Sequence, residues 1–366
     1  SHHCDDDRLE QLVLGDEDTE EYRVTARHVE TCEQCRERLS LLTGSERALR
    51  EAGELLSGYP MEHWSSGSGV HESDPALAPD QLDFLDPPSH PEMLGRLGRY
   101  EIERVIGAGG MGIVLKAFDT ELNRPVAIKI LARHLAHSGA ARQRFARESR
   151  AAAAVVHEHV VAIHNVETGN ENPFLVMQYV AGESLQSRVD REGPLDAKEV
   201  LRIGIQAAAG LAAAHEQGVV HRDVKPANIL LESGIERALL TDFGLARTVD
   251  DASLTHTGLV AGTPHYMSPE QANGEPTDQR TDLFSLGSVL YFMATGHPPF
   301  RAERAMGVLN RICHDRHRSL WQVNADIPDP VSEIVDRLLQ KKAGKRFASA
   351  APVQPTLAET LAVIQH

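Results

Sequence analysis

The chain has 366 residues, which is long enough for two domains or for one domain with appendages. Hydrophobic residues make up 41%, charged residues 25% and aromatic residues 5%, and these proportions exclude a fibrous, membrane-embedded or wholly disordered protein. Because there is no apolar run of about 18 residues and no basic targeting peptide, we expect a cytoplasmic protein. A membrane tether would require regions outside this chain.

The formal net charge of −16 is concentrated at one end of the chain. Residues 1–96 contain 22 acidic residues and eight arginines, a net charge of −14, whereas the remaining residues carry a net charge of −2. An acidic segment of this kind repels nucleic acid and anionic membranes. We therefore expect no nucleic-acid partner.

The first predicted element is a small helical domain, residues 1–56, that contains three of the four cysteines. In the stretch "HVETCEQC", His28, Cys32 and Cys35 are spaced i, i+4 and i+7, so that a helix places them on one face within reach of one ion. Tetrahedral zinc needs a fourth ligand. Cys4 is the candidate, and His3 or His2 is a rival for the same position.

Three interpretations of this cluster compete: a structural zinc site, a zinc site with redox-linked release, and thiols on a helix. The spacing from Cys4 to Cys35 resembles the zinc-binding domain of bacterial anti-sigma factors. The ligand spacing and the small size of the domain favour structural zinc. The resemblance implies a protein partner, which is a sigma factor in that family. Because fold and ligands do not determine a partner, a tethered sensor or docking unit is an equally good prediction.

Residues 57–95 are rich in Ser, Gly, Pro and Asp and predict an acidic linker. Within it, "LDFLDPP" at residues 82–88 introduces Leu82, Phe84 and Leu85. Two interpretations are open for this stretch. It docks on a neighbouring surface, or it is a chance apolar patch in a tether.

From residue 96 the chain is continuously patterned, with strands first and helices afterwards, which predicts an α+β bilobal domain over residues 96–366. The stretch "GAGGMGIV", residues 107–114, has the Gly-x-Gly-x-x-Gly spacing of a phosphate-binding loop. A strand follows the loop here, whereas a dinucleotide site has a helix at this position. Lys129 in "VAIK" and Glu148 in "RFARES" follow in an order typical of a nucleotide site.

Two further motifs supply the parts that phosphoryl transfer needs, namely a carboxylate, a cation and oxygen ligands for Mg²⁺. They are "HRDVKPAN", residues 221–228, and "DFG", residues 242–244. With these motifs, residues 100–364 resemble a Hanks-type protein kinase domain, which implies a β-rich N-lobe and a helical C-lobe.

The resemblance assigns expected roles. Asp223 accepts the proton of the substrate hydroxyl, Lys225 neutralises the transferred phosphoryl group, and Asn228 and Asp242 hold Mg²⁺ or Mn²⁺. Lys129, paired with Glu148, holds the α- and β-phosphates of ATP. The expected nucleotide contacts are Ile106, Gly107, Ala108, Gly109, Gly110, Met111, Gly112, Ile113, Val114, Ala127, Lys129, Met177, Gln178, Val180 and Leu230.

Lys225 and Thr263 match the serine/threonine kinases of this family, so the implied substrates are Ser and Thr hydroxyls of proteins. Thr255 and Thr257 lie where bacterial members carry paired autophosphorylation sites, which implies activation in a transient dimer through Arg222. The chain has "SPE", residues 268–270, where the family has "APE", and this small-for-small change leaves Glu270 able to pair with Arg346.

Two alternatives to an active kinase remain at this point. One is a catalytically weak scaffold with a kinase fold, against which the intact motif residues argue. The other is a zinc-bearing transcription regulator of anti-sigma type with a kinase appended. The sequence leaves the substrates, the input signal and the oligomeric state undetermined.

Overall fold

The computed structural model describes His28, Cys32 and residues 82–169, 171–243 and 264–365. The chain divides into two units, Ser1–Gly69 and Val70–His366. In the first unit, the backbone N–H of Cys32 donates to the carbonyl oxygen of His28 at 2.9 Å. The predicted zinc ligands Cys4 and Cys35, and the rivals His2 and His3, lie outside the described residues.

The second unit opens with a six-stranded antiparallel sheet in the order β1-β2-β3-β4-β6-β5. The strands are β1 (Gly95–Leu97), β2 (Tyr100–Gly109), β3 (Gly112–Asp119), β4 (Arg124–Leu131), β5 (Ile163–Glu167) and β6 (Phe174–Gln178). The helices α1 (Arg133–Ala136) and α2 (Gly139–Ala153) follow β4. Successive side chains of β4 point to opposite faces of the sheet. One face carries Val126, Ile128 and Ile130, which are part of the apolar core of the sheet. The other face carries Ala127 and Lys129.

Residues 82–88 are packed against this sheet. Leu82, Phe84 and Leu85 contact the apolar cluster formed by the sheet, and Asp83 forms an ion pair with Arg133 at the start of α1. A β-bridge joins Asp86 to Arg96. Of the two interpretations of "LDFLDPP", docking on a neighbouring surface is therefore confirmed, and ordered packing begins before the predicted boundary at residue 96.

The remainder is mainly helical. After β7 (Gly182–Ser184) come α3 (Leu185–Glu192) and α4 (Ala197–Glu216), then the paired strands β8 (Ile229–Glu232) and β9 (Arg237–Leu240). The later helices are α5 (Pro269–Ala272), α6 (Gln279–Thr295), α7 (Ala305–His314), α8 (Leu320–Val323), α9 (Asp329–Leu338) and α10 (Val353–Gln365). This order of a strand-rich lobe and a helical lobe confirms the predicted α+β bilobal architecture.

Helix α6 runs through the helical lobe, and every residue from Thr281 to Thr295 is buried. A helix that is buried on all sides forms the centre of a core rather than one wall of it. Its N-terminus is capped by Asp278, and it ends at Gly296, whose φ of 72° suits glycine. This helix is the platform beneath the catalytic loop described below. Among the described residues, no helix combines the length and the apolarity needed to cross a membrane.

Candidate active site

The predicted phosphate-binding loop is a hairpin turn between β2 and β3. Gly112 has a φ of 138°, and a Cβ at this position would collide with the carbonyl oxygen of Ile130. In contrast, a Cβ on Gly109 or Gly110 would meet open space. Only glycine fits at residue 112, because a side chain there would meet the backbone of β4.

Most of the predicted adenine contacts meet in one apolar cluster between the lobes. Ala127, Met177 and Val180 are buried there, and Val114 and Leu230 pack against them. Ile106, by contrast, is 38% exposed and lies outside this cluster. The cluster also contains Val161 and Leu239, which sequence reasoning missed because single apolar residues carry no spacing signal.

The predicted catalytic residues of "HRDVKPAN" converge on Asp223. The Nδ2 atom of Asn228 donates to Asp223 Oδ2 at 2.9 Å and to the Asp223 carbonyl oxygen at 2.9 Å. The Lys225 ammonium lies 2.8 Å from the same Oδ2 atom. The short 3₁₀ turn Pro226–Asn228 brings Asn228 back towards Asp223. A carboxylate, an ammonium group and an amide therefore share one position, as phosphoryl transfer requires.

Lys129 and Asp242 form an ion pair across the cleft, with Lys129 Nζ 2.7 Å from Asp242 Oδ1. Burial alone would raise the pKa of the Asp242 carboxyl, but the charge and hydrogen bond of Lys129 outweigh this effect and hold the pKa below its ordinary value. The main chain of Asp242 adopts a φ of 63°, which is unusual for a residue other than glycine. The surrounding structure therefore has to fix this conformation.

The predicted pair between Lys129 and Glu148 is not the one found. Glu148 lies on α2 as expected, but its Oε1 atom faces Arg147 at 3.5 Å, and Asp242 takes the ammonium of Lys129. Burial raises the pKa of Glu148, and the charges of Arg147 and Arg144 offset only part of this effect. The prediction was wrong for this conformation because one ammonium had two candidate carboxylates, and sequence spacing does not rank them.

The catalytic loop is fixed from below by Asp282, a fully buried residue of α6 that sequence reasoning missed. Its Oδ2 and Oδ1 atoms accept the backbone N–H groups of His221 at 2.8 Å and Arg222 at 2.7 Å. His215 Nε2 contacts Oδ2 at 2.8 Å. The available signal was an acidic residue inside an apolar helical stretch, "TDLFSLG", since a buried carboxylate requires partners.

His221 links the catalytic loop to the segment that carries Asp242. Its Nδ1 atom accepts the backbone N–H of Asp223 at 3.3 Å, so the proton lies on Nε2, which donates to the Thr241 carbonyl oxygen at 3.0 Å. The imidazole also packs on the Phe243 ring, with 4.4 Å between centroids. The backbone positions of Asp223 and Asp242 are therefore set by one buried side chain.

The expected pair between Glu270 and Arg346 is confirmed. Two parallel hydrogen bonds join the carboxylate to the guanidinium at 2.7 and 2.8 Å, and the Thr281 hydroxyl donates to the same carboxylate at 2.9 Å. Ser268 and Gln271 form a capping box at the start of α5, in which the side chain of each accepts the backbone N–H of the other. The serine of "SPE" therefore stabilises the N-terminus of this helix. Gln271 Nε2 in turn donates to the Arg222 carbonyl oxygen at 2.8 Å.

Three predicted residues of the kinase site cannot be placed. Thr255, Thr257 and Thr263 lie outside the described residues. Arg222, the expected partner of a phosphorylated loop, is exposed and has a φ of 63°.

The described residues contain no group of three or more His, Cys, Asp or Glu side chains placed to hold a metal. The carboxylate of Asp242 and the amide of Asn228 are oxygen donors of the kind that Mg²⁺ uses beside substrate phosphates.

We predict that Glu270→Gln destabilises the protein by about 3–5 kcal/mol at neutral pH, because the buried Arg346 loses its counter-charge. Burial alone would raise the pKa of Glu270, but Arg346 outweighs it and holds the pKa below the ordinary 4.5. The stabilisation is therefore complete above about pH 4.5 and is lost as the pH falls through the folded pKa. The free energy of unfolding in urea should show a gap between the two proteins that narrows below this pH.

The matched control is Glu236→Gln, since Glu236 pairs with Arg202 at 3.3 Å but its side chain is 80% exposed. We expect a change below about 1 kcal/mol for this exposed pair. A difference in unfolding free energy between wild type and Glu270→Gln that stayed constant from pH 7 to well below pH 4.5 would contradict the assignment.

The comparisons with known proteins agree with this geometry. The family model described as "Protein kinase domain" matches residues 100–356. The serine/threonine-protein kinase PrkC of Bacillus subtilis is 37% identical over 257 residues, covering 70% of this chain and 40% of that protein. The serine/threonine-protein kinase PknB of Mycolicibacterium smegmatis is 37% identical over 265 residues, covering 71% and 42%.

Among solved structures, the kinase domain of PknI from Mycobacterium tuberculosis superposes with a TM-score of 0.58 at 27% identity, covering 72% of this chain and 96% of that one. The chain spans about two fifths of the length of the curated relatives named above. The family model covers more than half of the chain, and it contains the catalytic loop, Lys129 and Asp242. The chain therefore belongs to the protein kinase domain family.

Proposed function

We propose that this protein transfers the γ-phosphoryl group of ATP to Ser or Thr hydroxyls of protein substrates. The observation that carries the proposal is the convergence of Lys225 and Asn228 on the Asp223 carboxylate. The ion pair between Lys129 and Asp242 supports it from the other side of the cleft. The Ser/Thr specificity is supported by Lys225 and by the names of the relatives PrkC and PknB.

Each residue has a defined task in this proposal. Asp223 orients the acceptor hydroxyl and takes its proton, while Lys225 places a positive charge beside the transferred group. Asn228 and Asp242 would hold Mg²⁺, which when bound neutralises phosphate charge. Lys129 would hold the α- and β-phosphates, and the cluster around Ala127 and Met177 would enclose the adenine.

Asp223→Asn removes the base and keeps the shape of the side chain. We predict a loss of about 10³-fold in kcat, with nucleotide affinity changed less than about threefold, because a positioned base contributes about 10²- to 10⁴-fold. Radiolabelled phosphate transfer to a Thr peptide and equilibrium nucleotide binding would measure the two effects. Asp326→Asn, at an exposed site in the helical lobe, is the matched control. Undiminished transfer by Asp223→Asn would instead favour the scaffold interpretation.

We also propose that autophosphorylation of Thr255 and Thr257 activates the enzyme through Arg222. A phosphate group adds about −1.5 to −2 charges and strong acceptor oxygens, which an exposed arginine next to the catalytic aspartate can bind. The backbone of Arg222 is held by Asp282 and Gln271, so an ion pair formed there would act on a fixed loop.

The prediction is that Thr255→Ala/Thr257→Ala lowers kcat/KM by at least about tenfold after preincubation with ATP, because the loop can no longer gain the phosphate charge. Ser253→Ala, in the same segment, is the matched control and should keep full activity. Phosphopeptide mass spectrometry reports whether either threonine is modified. Full activity of the double variant would refute this form of regulation.

For the N-terminal domain we propose a structural zinc site formed by Cys4, His28, Cys32 and Cys35. The hydrogen bond from Cys32 N–H to the His28 carbonyl oxygen supports it, since this i to i+4 contact puts the two side chains on one helix face. About 50 residues with few large apolar groups make a weak core without a metal.

We expect about one zinc per chain in anaerobically purified protein, and loss of that zinc together with helicity in Cys35→Ser, because the metal would fold the domain. Cys313→Ser, in α7 of the kinase domain, is the control and should retain the zinc. Comparing Cys4→Ser with His2→Ala and His3→Ala identifies the fourth ligand. Substoichiometric zinc with intact helicity by circular dichroism would eliminate this site.

A further inference from the structure

We propose that an arginine surface on the helical lobe binds acidic segments of protein substrates away from the phosphorylated residue. This inference rests on the proposed kinase function and adds a substrate class to it. The arginine surface is defined by Arg301, Arg304, Arg316 and Arg318, which flank helix α7 and are all exposed. Residues 301–318 contain five arginines and two carboxylates, a net charge of +3.

The first supporting observation is that no carboxylate neutralises the four arginines of the arginine surface within the described residues. Within the described part of the chain, none of these four arginines makes an ion pair, whereas the fifth, Arg311, pairs with Asp315 at 3.8 Å. Elsewhere in the same lobe, the exposed Arg191 and the half-buried Arg280 lie against carboxylates. Four like charges within eighteen residues repel one another, so an acidic partner would relieve an unfavourable interaction as well as form new ones.

The second observation is that the segment is folded into a compact unit. Arg311 Nη1 donates to the Arg301 carbonyl oxygen at 2.7 Å, which ties the start of the segment to the last turn of α7. Burial raises the pKa of the Tyr291 hydroxyl, and the positive charges of Arg301 and Arg318 both oppose that rise. Met306 and Trp321 in the same region are 62% and 54% exposed.

This composition is that of a binding surface. Arginine, tryptophan and methionine are enriched in protein interfaces, and arginine binds carboxylates with two parallel hydrogen bonds. The complement is a segment rich in Asp and Glu that also contains an apolar side chain for Trp321 or Met306.

The third observation is the position of the surface relative to the catalytic loop. Helix α7 packs against α5, and Cys313 Sγ lies 3.2 Å from Asn273 Oδ1 at the end of α5. Gln271 of α5 is bonded to the Arg222 carbonyl oxygen beside Asp223. His265 lies in the segment leading into α5, and its pKa is lowered by burial and then by the charge of Arg301. A bound acidic segment would therefore lie on the same side of the lobe as the acceptor.

The test uses two synthetic substrates that share a Thr acceptor flanked by neutral residues and a Gly-Ser linker. One ends in an acidic segment of Glu, Asp and Leu, and the other has Gln and Asn in place of the acids. We expect wild-type kcat/KM to favour the acidic peptide about fivefold at about 0.05 M ionic strength and to lose most of this preference at about 0.3 M, because exposed charges are screened.

Arg316→Gln/Arg318→Gln should reduce the preference to below about twofold while leaving turnover of the neutral peptide within about twofold of wild type. Lys198→Gln/Arg202→Gln removes the same charge from α4 in the same lobe and should keep the preference. Equal use of both peptides by wild type, or an unchanged preference in Arg316→Gln/Arg318→Gln, would overturn the proposal. Absence of transfer to either peptide would instead count against the kinase function.

Discussion

The active site depends on one buried carboxylate. Asp282 accepts the backbone N–H groups of His221 and Arg222, and His215 contacts it from α4. A charge with no solvent exposure is tolerated only when hydrogen bonds replace its hydration, and here three donors do so. This arrangement holds Arg222 at a φ of 63°, a conformation that few non-glycine residues adopt. The strain of the catalytic loop is thus offset by the core helix beneath it.

Two residues connect the loop held by Asp282 to its surroundings. The first is His221, whose ring joins the Asp223 backbone to the Thr241 carbonyl. The same ring packs on Phe243, next to Asp242. The second is Gln271 of α5, which donates to the Arg222 carbonyl oxygen. In the same helix, Glu270 forms two hydrogen bonds with Arg346. The residues proposed for phosphoryl transfer are therefore positioned by one connected network of buried polar contacts.

The sequence predicted the lobes, the glycine turn and the grouping of Asp223, Lys225 and Asn228, because spacing within a loop or hairpin determines local contacts. Contacts between distant segments were harder to predict. The family resemblance paired Glu270 with Arg346 correctly. The same resemblance paired Lys129 with Glu148, whereas the structure pairs it with Asp242. Asp282 and the packing of Phe84 on the sheet depend on the tertiary fold, and no local period encodes either.

The pairing of Lys129 with Asp242 has a physical consequence for nucleotide binding. In this conformation both lysines of the cleft are used internally, Lys129 by Asp242 and Lys225 by Asp223. Phosphate oxygens and a metal must therefore compete with these two ion pairs. Burial raises the pKa of the Glu148 carboxyl, which is not paired with Lys129. If Asp242 turned to a metal, the ammonium of Lys129 would lose its partner and the Glu148 carboxylate would become the favourable replacement, since pairing opposes the effect of burial on its pKa. One lysine cannot neutralise both carboxylates, so in this conformation Glu148 is the one that lacks Lys129 as a counter-charge.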